Sequence, residues 1–184
     1  MDGDIVGALI TRLNEREPAI EGPRLAAVAM ILKGRDDPEV LLIKRAEKEG
    51  DPWSGQVALP GGKMAEGDAD LSRTAQRETM EEVGIDLGTS GQFLGYLGAT
   101  RTHTGTMEVV PCAFLLKEDV KVIPNSEVAS YSWVKVRALL APGAKSTYRL
   151  GAGGQLTVPA YSVGGYVVWG LTYRLLSQAL EGTD

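Results

Sequence analysis

A chain of 184 residues, 43% hydrophobic and 23% charged, is long enough for one well-packed globular domain and short for two. Its 19 basic and 24 acidic side chains leave a net charge of −5 with no run of five or six like charges, which argues against a nucleic acid polymer as partner. A single cysteine, Cys112, excludes an intrachain disulfide, no stretch approaches the ~20 apolar residues that span a bilayer, and the start lacks the pattern of a signal peptide; a cytoplasmic protein with no membrane partner is expected.

The region of about residues 1–22 is expected to carry an N-terminal helix, read over 5–13 from its amphipathic spacing and ended by the proline-bounded stretch 18–23. Residues 25–32 and 40–44 are apolar, β-compatible runs separated by Gly34-Arg35-Asp36-Asp37-Pro38, so they read as a hairpin or neighbouring strands. A loop rich in Gly and Pro is expected over 50–62, interrupted by Gln56-Val57-Ala58-Leu59. Residues 69–83 have helix-forming content without Gly or Pro, with Asp68 or Asp70 placed to cap the start and Gly84 to end it. Further strands are expected over 92–100, 107–116 and 131–136, with a short helix at 137–140. The loop Gly151-Ala152-Gly153-Gly154 precedes a last helix over about 167–180, and Cys112 reads as a core residue. Helices interleaved with closely spaced strands imply an α/β fold, a mixed sheet between helices, in a single domain spanning 1–184.

The chemistry concentrates in Arg77-Glu78-Thr79-Met80-Glu81-Glu82-Val83-Gly84-Ile85. At about 100° per residue, Glu82 lies about 40° to one side of Glu78 and Glu81 about 60° to the other, so three carboxylates share one helix face. Like charges at this spacing repel by roughly 0.2–0.5 kcal/mol per pair, and the C-terminal end of the helix dipole is itself negative. A divalent cation would turn this repulsion into ligation. Glutamate clusters on helices are ordinarily solvated faces, and Arg77 is spaced to pair with Glu81. The preceding Leu59-Pro60-Gly61-Gly62 turn, whose backbone can approach a phosphate or lend a carbonyl to a metal, favours a site.

Gly62, Asp68 and the run from Arg77 to Ile85 resemble the Nudix box, Gly-x5-Glu-x7-Arg-Glu-aliphatic-x-Glu-Glu-x-Gly-aliphatic, over about residues 62–85. Three departures stand out: Asp68 replaces the first glutamate, one extra residue separates it from Arg77, and Thr79 replaces an aliphatic residue. The resemblance implies the α/β/α sandwich of Nudix enzymes and metal-dependent hydrolysis of a pyrophosphate bond with Mg2+ or Mn2+. It assigns Glu78, Glu81 and Glu82 as metal ligands with the Gly61 carbonyl as a further one, and Glu78, Glu81 and Arg77 as catalytic, Arg77 orienting Glu78. For Asp68, helix capping and a functional role stay open. Such enzymes differ in the source of the general base, and Glu108, Glu127 and His103 are the candidates, each with an alternative as an ordinary surface group.

Leu41-Leu42-Ile43-Lys44-Arg45, Gly55-Gln56-Val57-Ala58-Leu59-Pro60-Gly61-Gly62 and Trp169-Gly170-Leu171-Thr172 resemble the coenzyme A pyrophosphatase branch. That branch has Arg-Ser and a second Arg where this chain has Arg45-Ala46 and then Asp51-Pro52-Trp53-Ser54. The resemblance implies a small nucleotide substrate, with coenzyme A or an acyl derivative leading. It gives Arg45 to an anionic 3′-phosphate or to an edge-strand charge, Trp53 to adenine stacking or to loop closure, and Gly62 to the substrate's phosphates. ADP-ribose and oxidised nucleoside triphosphates are rival substrates, a non-catalytic nucleotide-binding module is the rival class, and a homodimer is a compatible assembly. Gly61-Gly62-Lys63-Met64 does not complete a P-loop.

Overall fold

The computed structural model describes residues 4–20, 24–50, 53–150 and 156–181. In chain order they form α1 (Ile5–Ile10), β1 (Leu25–Lys33), β2 (Glu39–Arg45), β3 (Val57–Ala58), β4 (Gly61–Lys63), α2 (Leu71–Val83), α3 (Leu87–Ser90), β5 (Gly91–Tyr96), β6 (Thr100–Arg101), β7 (Glu108–Leu116), β8 (Val128–Lys135), α4 (Val136–Leu140), β9 (Lys145–Leu150), β10 (Leu156–Val163), β11 (Tyr166–Trp169) and α5 (Gly170–Leu180).

The central sheet is mixed. β1 runs parallel to β7 from Leu25 opposite Glu108 to Leu32 opposite Leu115, whereas β5 and β6 pair with β7, and β3 and β8 with β2, antiparallel. The other edge of β1 is shared. Ala26, Ala27 and Val28 face Lys63, Gly62 and Gly61 of β4, while Leu32 and Lys33 face Val40 and Glu39 of β2. Strands β1, β2 and β7 are apolar between their ends because both faces of the sheet are covered there. Their side chains alternate between two cores. Ala27, Ala29, Ile31, Leu41, Ile43 and Phe114 pack with Leu71, Ala75 and Val83 of α2. Met30, Leu32, Leu42 and Leu115 pack with Val6 and Leu9 of α1, Leu139 of α4 and Leu175 and Leu176 of α5. The result is the expected α/β/α sandwich around a mixed sheet.

Several boundaries differ from expectation. The first helix ends at Ile10, and Asn14 instead forms an isolated bridge with Tyr96. The glycine-rich segment before α2 contributes β3 and β4, because glycine lets the backbone lie directly against β1: a Cβ on Gly61 would stand 2.3 Å from the Ala27 carbonyl oxygen. Strand 92–100 is interrupted after Tyr96 and resumes as β6 at Thr100. The last helix begins at Gly170 rather than 167, since Val167 and Val168 pair with Ser162 and Tyr161 in a separate three-stranded sheet, β11-β10-β9. The Gly151 to Gly154 loop lies outside the described residues.

Candidate active site

Helix α2 is held at both ends by its own sequence. Asp70 caps the start, its carboxylate accepting from the Arg73 amide at 2.8 Å, while Glu17 accepts from the Leu71 amide at 2.8 Å. Gly84 ends it at φ 68°, the left-handed turn that glycine takes without penalty. Amides of the following loop cover the last carbonyls: Ile123 donates to Val83 at 2.8 Å and Asn125 to Glu82 at 2.9 Å.

Asp68 has a different task from Asp70. A tight turn, with the Asp68 amide donating to the Ala65 carbonyl at 3.0 Å, absorbs the additional residue before the helix. The Asp68 carboxylate thereby meets Arg77, which donates from Nε at 3.1 Å and Nη2 at 2.9 Å. The same guanidinium reaches the Lys63 carbonyl at 3.0 Å, Glu78 at 2.8 Å and Glu81 at 3.4 Å. Hydrogen bonding from Arg77 holds the Asp68 carboxyl well below the usual carboxylate range. Arg77 is thus fastened on one side to Asp68 and offered on the other to Glu78.

Glu78 and Glu82 face Gly61 and Gly62 of β4. A Cβ on Gly62 would fall 2.5 Å from the Glu78 carboxyl carbon, and the Gly61 amide donates to Glu82 Oε2 at 2.9 Å. Glu82 is only 4% exposed. Burial pushes its carboxyl up to about 7, the charges of Glu78 and Glu127 act in the same direction, and the Gly61 amide and Arg45 act against it. Glu81 is largely solvent-exposed and turned to Arg77. Among the described residues no three His, Cys, Asp or Glu side chains converge on one point in the manner of a formed metal site. Glu78 and Glu82 nevertheless suit a hard divalent cation as a pair, because it would offset both the burial of Glu82 and the repulsion between them.

The remaining sequence candidates separate. Arg45, at the end of β2, bears on Glu82 electrostatically. Glu127 is carried there by the loop that covers α2, its carbonyl accepting from the Ala46 amide at 2.8 Å. Glu108 is engaged by Arg101 at 2.6 Å, and His103 is exposed in the turn between β6 and β7. Trp53 is 49% exposed in the turn before β3. Trp169 stacks on Tyr148 with ring centroids 5.6 Å apart.

Comparison with known proteins identifies the family and the fold. A family model of the NUDIX domain matches residues 22–151. The mitochondrial Nudix hydrolase 15 of Arabidopsis thaliana is 32% identical over 178 residues, covering 91% of this chain and 61% of that protein. The peroxisomal coenzyme A diphosphatase ndx-8 of Caenorhabditis elegans is 31% identical over 131 residues, covering 70% of this chain and 56% of that protein. The chain therefore spans little more than half the length of these two relatives. Among solved structures, a MutT/nudix family protein from Enterococcus faecalis superposes with TM-score 0.55 at 20% identity, covering 90% of this chain and 63% of the other. An Ap4A hydrolase binary complex from C. elegans does so with TM-score 0.52 at 20% identity, covering 64% and 84%; at such identities the shared property is the fold. No helix among the described residues is long and apolar enough to cross a membrane. The chain belongs to the NUDIX domain family of hydrolases, and its likeness within that family runs to the coenzyme A pyrophosphatase branch.

Proposed function

We propose that the chain hydrolyses the pyrophosphate bond of coenzyme A or an acyl-coenzyme A, releasing adenosine 3′,5′-bisphosphate and 4′-phosphopantetheine or its S-acyl derivative. The observation that carries this reading is the placing of Glu78 and Glu82 together against Gly61 and Gly62 of β4, with Glu82 buried on the Gly61 amide. Nudix hydrolases generally require a divalent ion; Mg2+ or Mn2+ matches oxygen ligands, and when bound it neutralises phosphate charge and supplies hydroxide at neutral pH. In this reading Glu78 and Glu82 hold the ion, with Glu81 and the Gly61 carbonyl completing the set, and Arg77 keeps Glu78 in place.

In this reading Arg45, whose charge acts on Glu82, pairs with phosphate oxygens of the anhydride. Gly62, having no side chain, lets the Glu78 carboxylate lie against the backbone that faces those phosphates in this reading. Trp53 offers an exposed ring on which adenine can stack. Of the three candidate bases, Glu127 has the best support, since its charge acts on Glu82 from the loop that covers α2. The coenzyme A assignment draws on the sequence likeness to the nematode coenzyme A diphosphatase.

The deciding experiment incubates the protein with Mg2+ or Mn2+, with and without chelator, and with coenzyme A, ADP-ribose, NADH, diadenosine polyphosphates and 8-oxo-dGTP, resolving products by chromatography. Metal-dependent release of 4′-phosphopantetheine is expected. Intact coenzyme A alongside consumption of another substrate overturns the specificity, and binding without turnover on any of them identifies a non-catalytic module.

A further inference from the structure

On the far side of Arg77 from Glu78 the surface opens into a groove of about 580 Å3, lined by Arg24, Leu25, Lys63, Met64, Glu66 and Asp68. It borders the candidate site through Asp68, which lines the groove and is bonded to Arg77. Lys63 follows Gly62 directly, and Arg77 bonds the Lys63 carbonyl and the Asp68 carboxylate with one end of its guanidinium and Glu78 with the other. The strand register fixes the two cations at neighbouring ends: Lys63 lies opposite Ala26, and the Met64 amide donates to the Leu25 carbonyl at 2.9 Å.

The lining has two kinds of chemistry. Leu25 and Met64 are partly buried apolar groups that present a surface a base or ribose can cover. Arg24 and Lys63 are exposed, and neither side chain has an ion-pair or hydrogen-bond partner among the described residues. Asp68 is neutralised by Arg77, which leaves Glu66 as the uncompensated acid of the groove. In a chain of net charge −5, two unpaired cations beside a pair of glutamates suit an anion other than the one those glutamates serve. The volume is that of a small-ligand site.

We infer that this groove grips a phosphomonoester carried by the substrate away from the anhydride, with Arg24 and Lys63 pairing with its oxygens, and so selects 3′-phosphorylated over unphosphorylated adenosine. The inference rests on the pyrophosphatase reading and moves the remote phosphate from Arg45, which sits beside Glu82, to the opposite side of Arg77. Arg24 and Lys63 are specificity-determining residues in this scheme and take no part in bond cleavage.

The test measures kcat/KM for coenzyme A and 3′-dephospho-coenzyme A in the wild type, Arg24→Gln/Lys63→Gln, Arg45→Gln and Glu66→Gln. Calorimetric titration of the metal-free proteins with adenosine 3′,5′-bisphosphate and with 5′-AMP runs beside it. The wild type is expected to favour the 3′-phosphorylated partner of each pair by about tenfold or more, and the double variant to lose about tenfold of that ratio, the scale of a charge-assisted phosphate contact. Glu66→Gln should bind the bisphosphate more tightly. An unchanged ratio in the double variant, or one erased by Arg45→Gln alone, overturns the inference. Should neither coenzyme be cleaved by the wild type, the pyrophosphatase reading falls and the titrations judge the groove alone: equal affinity for the two adenosine phosphates, or a preference that survives Arg24→Gln/Lys63→Gln, removes it.

Discussion

The buried carboxylate of Glu82 accepts a hydrogen bond at 2.9 Å from the amide of Gly61, tying the last turn of α2 to a short strand of the sheet. One backbone donor does not offset the loss of water around a side chain only 4% exposed, so the group retains its proton to about pH 7 in the fold against about 4.5 ordinarily.

That difference fixes a pH slope for the metal-free protein. Between about 4.5 and 7 the unfolded chain gives up the Glu82 proton while the folded chain keeps it. Unfolding is therefore increasingly favoured as pH rises through this window, by on the order of 3 kcal/mol in all, and the contribution levels off above it. Thermal melts in chelator should show Tm falling across the window in the wild type and a flatter profile in Glu82→Gln; superimposable profiles refute the assignment. Added Mn2+ should raise the wild-type Tm most at the alkaline end, where the carboxylate is free to ligate.

Helix α2 was legible because its residues need nothing distant: helix formers without Gly or Pro, an aspartate before them and a glycine after them. The reading of β1 and β7 likewise followed from apolar runs long enough to be covered on both faces. Strand β9 was not legible, since Lys145-Ser146-Thr147-Tyr148-Arg149-Leu150 has no apolar period and owes its form to pairing with β10. Gly61-Gly62 read as a turn because glycine disfavours strands in isolation; against β1 the missing Cβ is what permits the pairing. Asp68 stayed ambiguous between cap and partner because only the Ala65 turn decides it, and a second aspartate two positions on takes the cap. Glu127 carried no local signal, its place above Glu82 being set by a loop more than 40 residues along the chain.

Asp68 should matter to activity through Arg77 without touching substrate. Asp68→Asn removes the charge that anchors the guanidinium, at a cost of about 1–3 kcal/mol for an ion pair in which the Asp68 side chain is 8% exposed. Its pH signature has the opposite sign to that of Glu82. The carboxyl is held low in the fold, so its stabilisation is complete above its ordinary value of 3.8 and disappears as pH falls below it. We expect kcat to fall about tenfold with KM little changed, and Asp68→Glu, which restores the charge, to recover most of it. Equal loss of kcat in Asp68→Asn and Asp68→Glu would show that length, not charge, is what Arg77 requires.

Gly62 and Gly61 should fail in different ways when given a methyl group. At Gly62 the new Cβ meets the Glu78 carboxylate at 2.5 to 2.6 Å, the far end of a side chain that can move, so Gly62→Ala should fold while weakening Mn2+ binding by about tenfold. At Gly61 the Cβ meets the Ala27 carbonyl oxygen and Val28 Cα at 2.3 and 2.5 Å, and φ is 153°, a conformation other residues rarely adopt. Backbone cannot retreat there without parting β4 from β1, so Gly61→Ala should lose about 2–4 kcal/mol of stability. Titration of Mn2+ by electron paramagnetic resonance, with urea unfolding alongside, separates the two; matched destabilisation in both variants contradicts the geometry.

Thr79 stands where the family pattern has an aliphatic residue, and its side chain is fully buried with a hydroxyl that has no hydrogen-bond partner among the described residues. A buried hydroxyl left unpaired costs about 1–3 kcal/mol, whereas a methyl of similar size loses nothing to water. Thr79→Val should therefore stabilise the protein by about 1 kcal/mol, seen as a higher urea midpoint with an unchanged m-value. The isosteric change leaves α2 and its carboxylates where they are, so kcat should stay within about twofold of the wild type. A drop in stability would mean that the hydroxyl is satisfied by a buried water, which Val cannot replace.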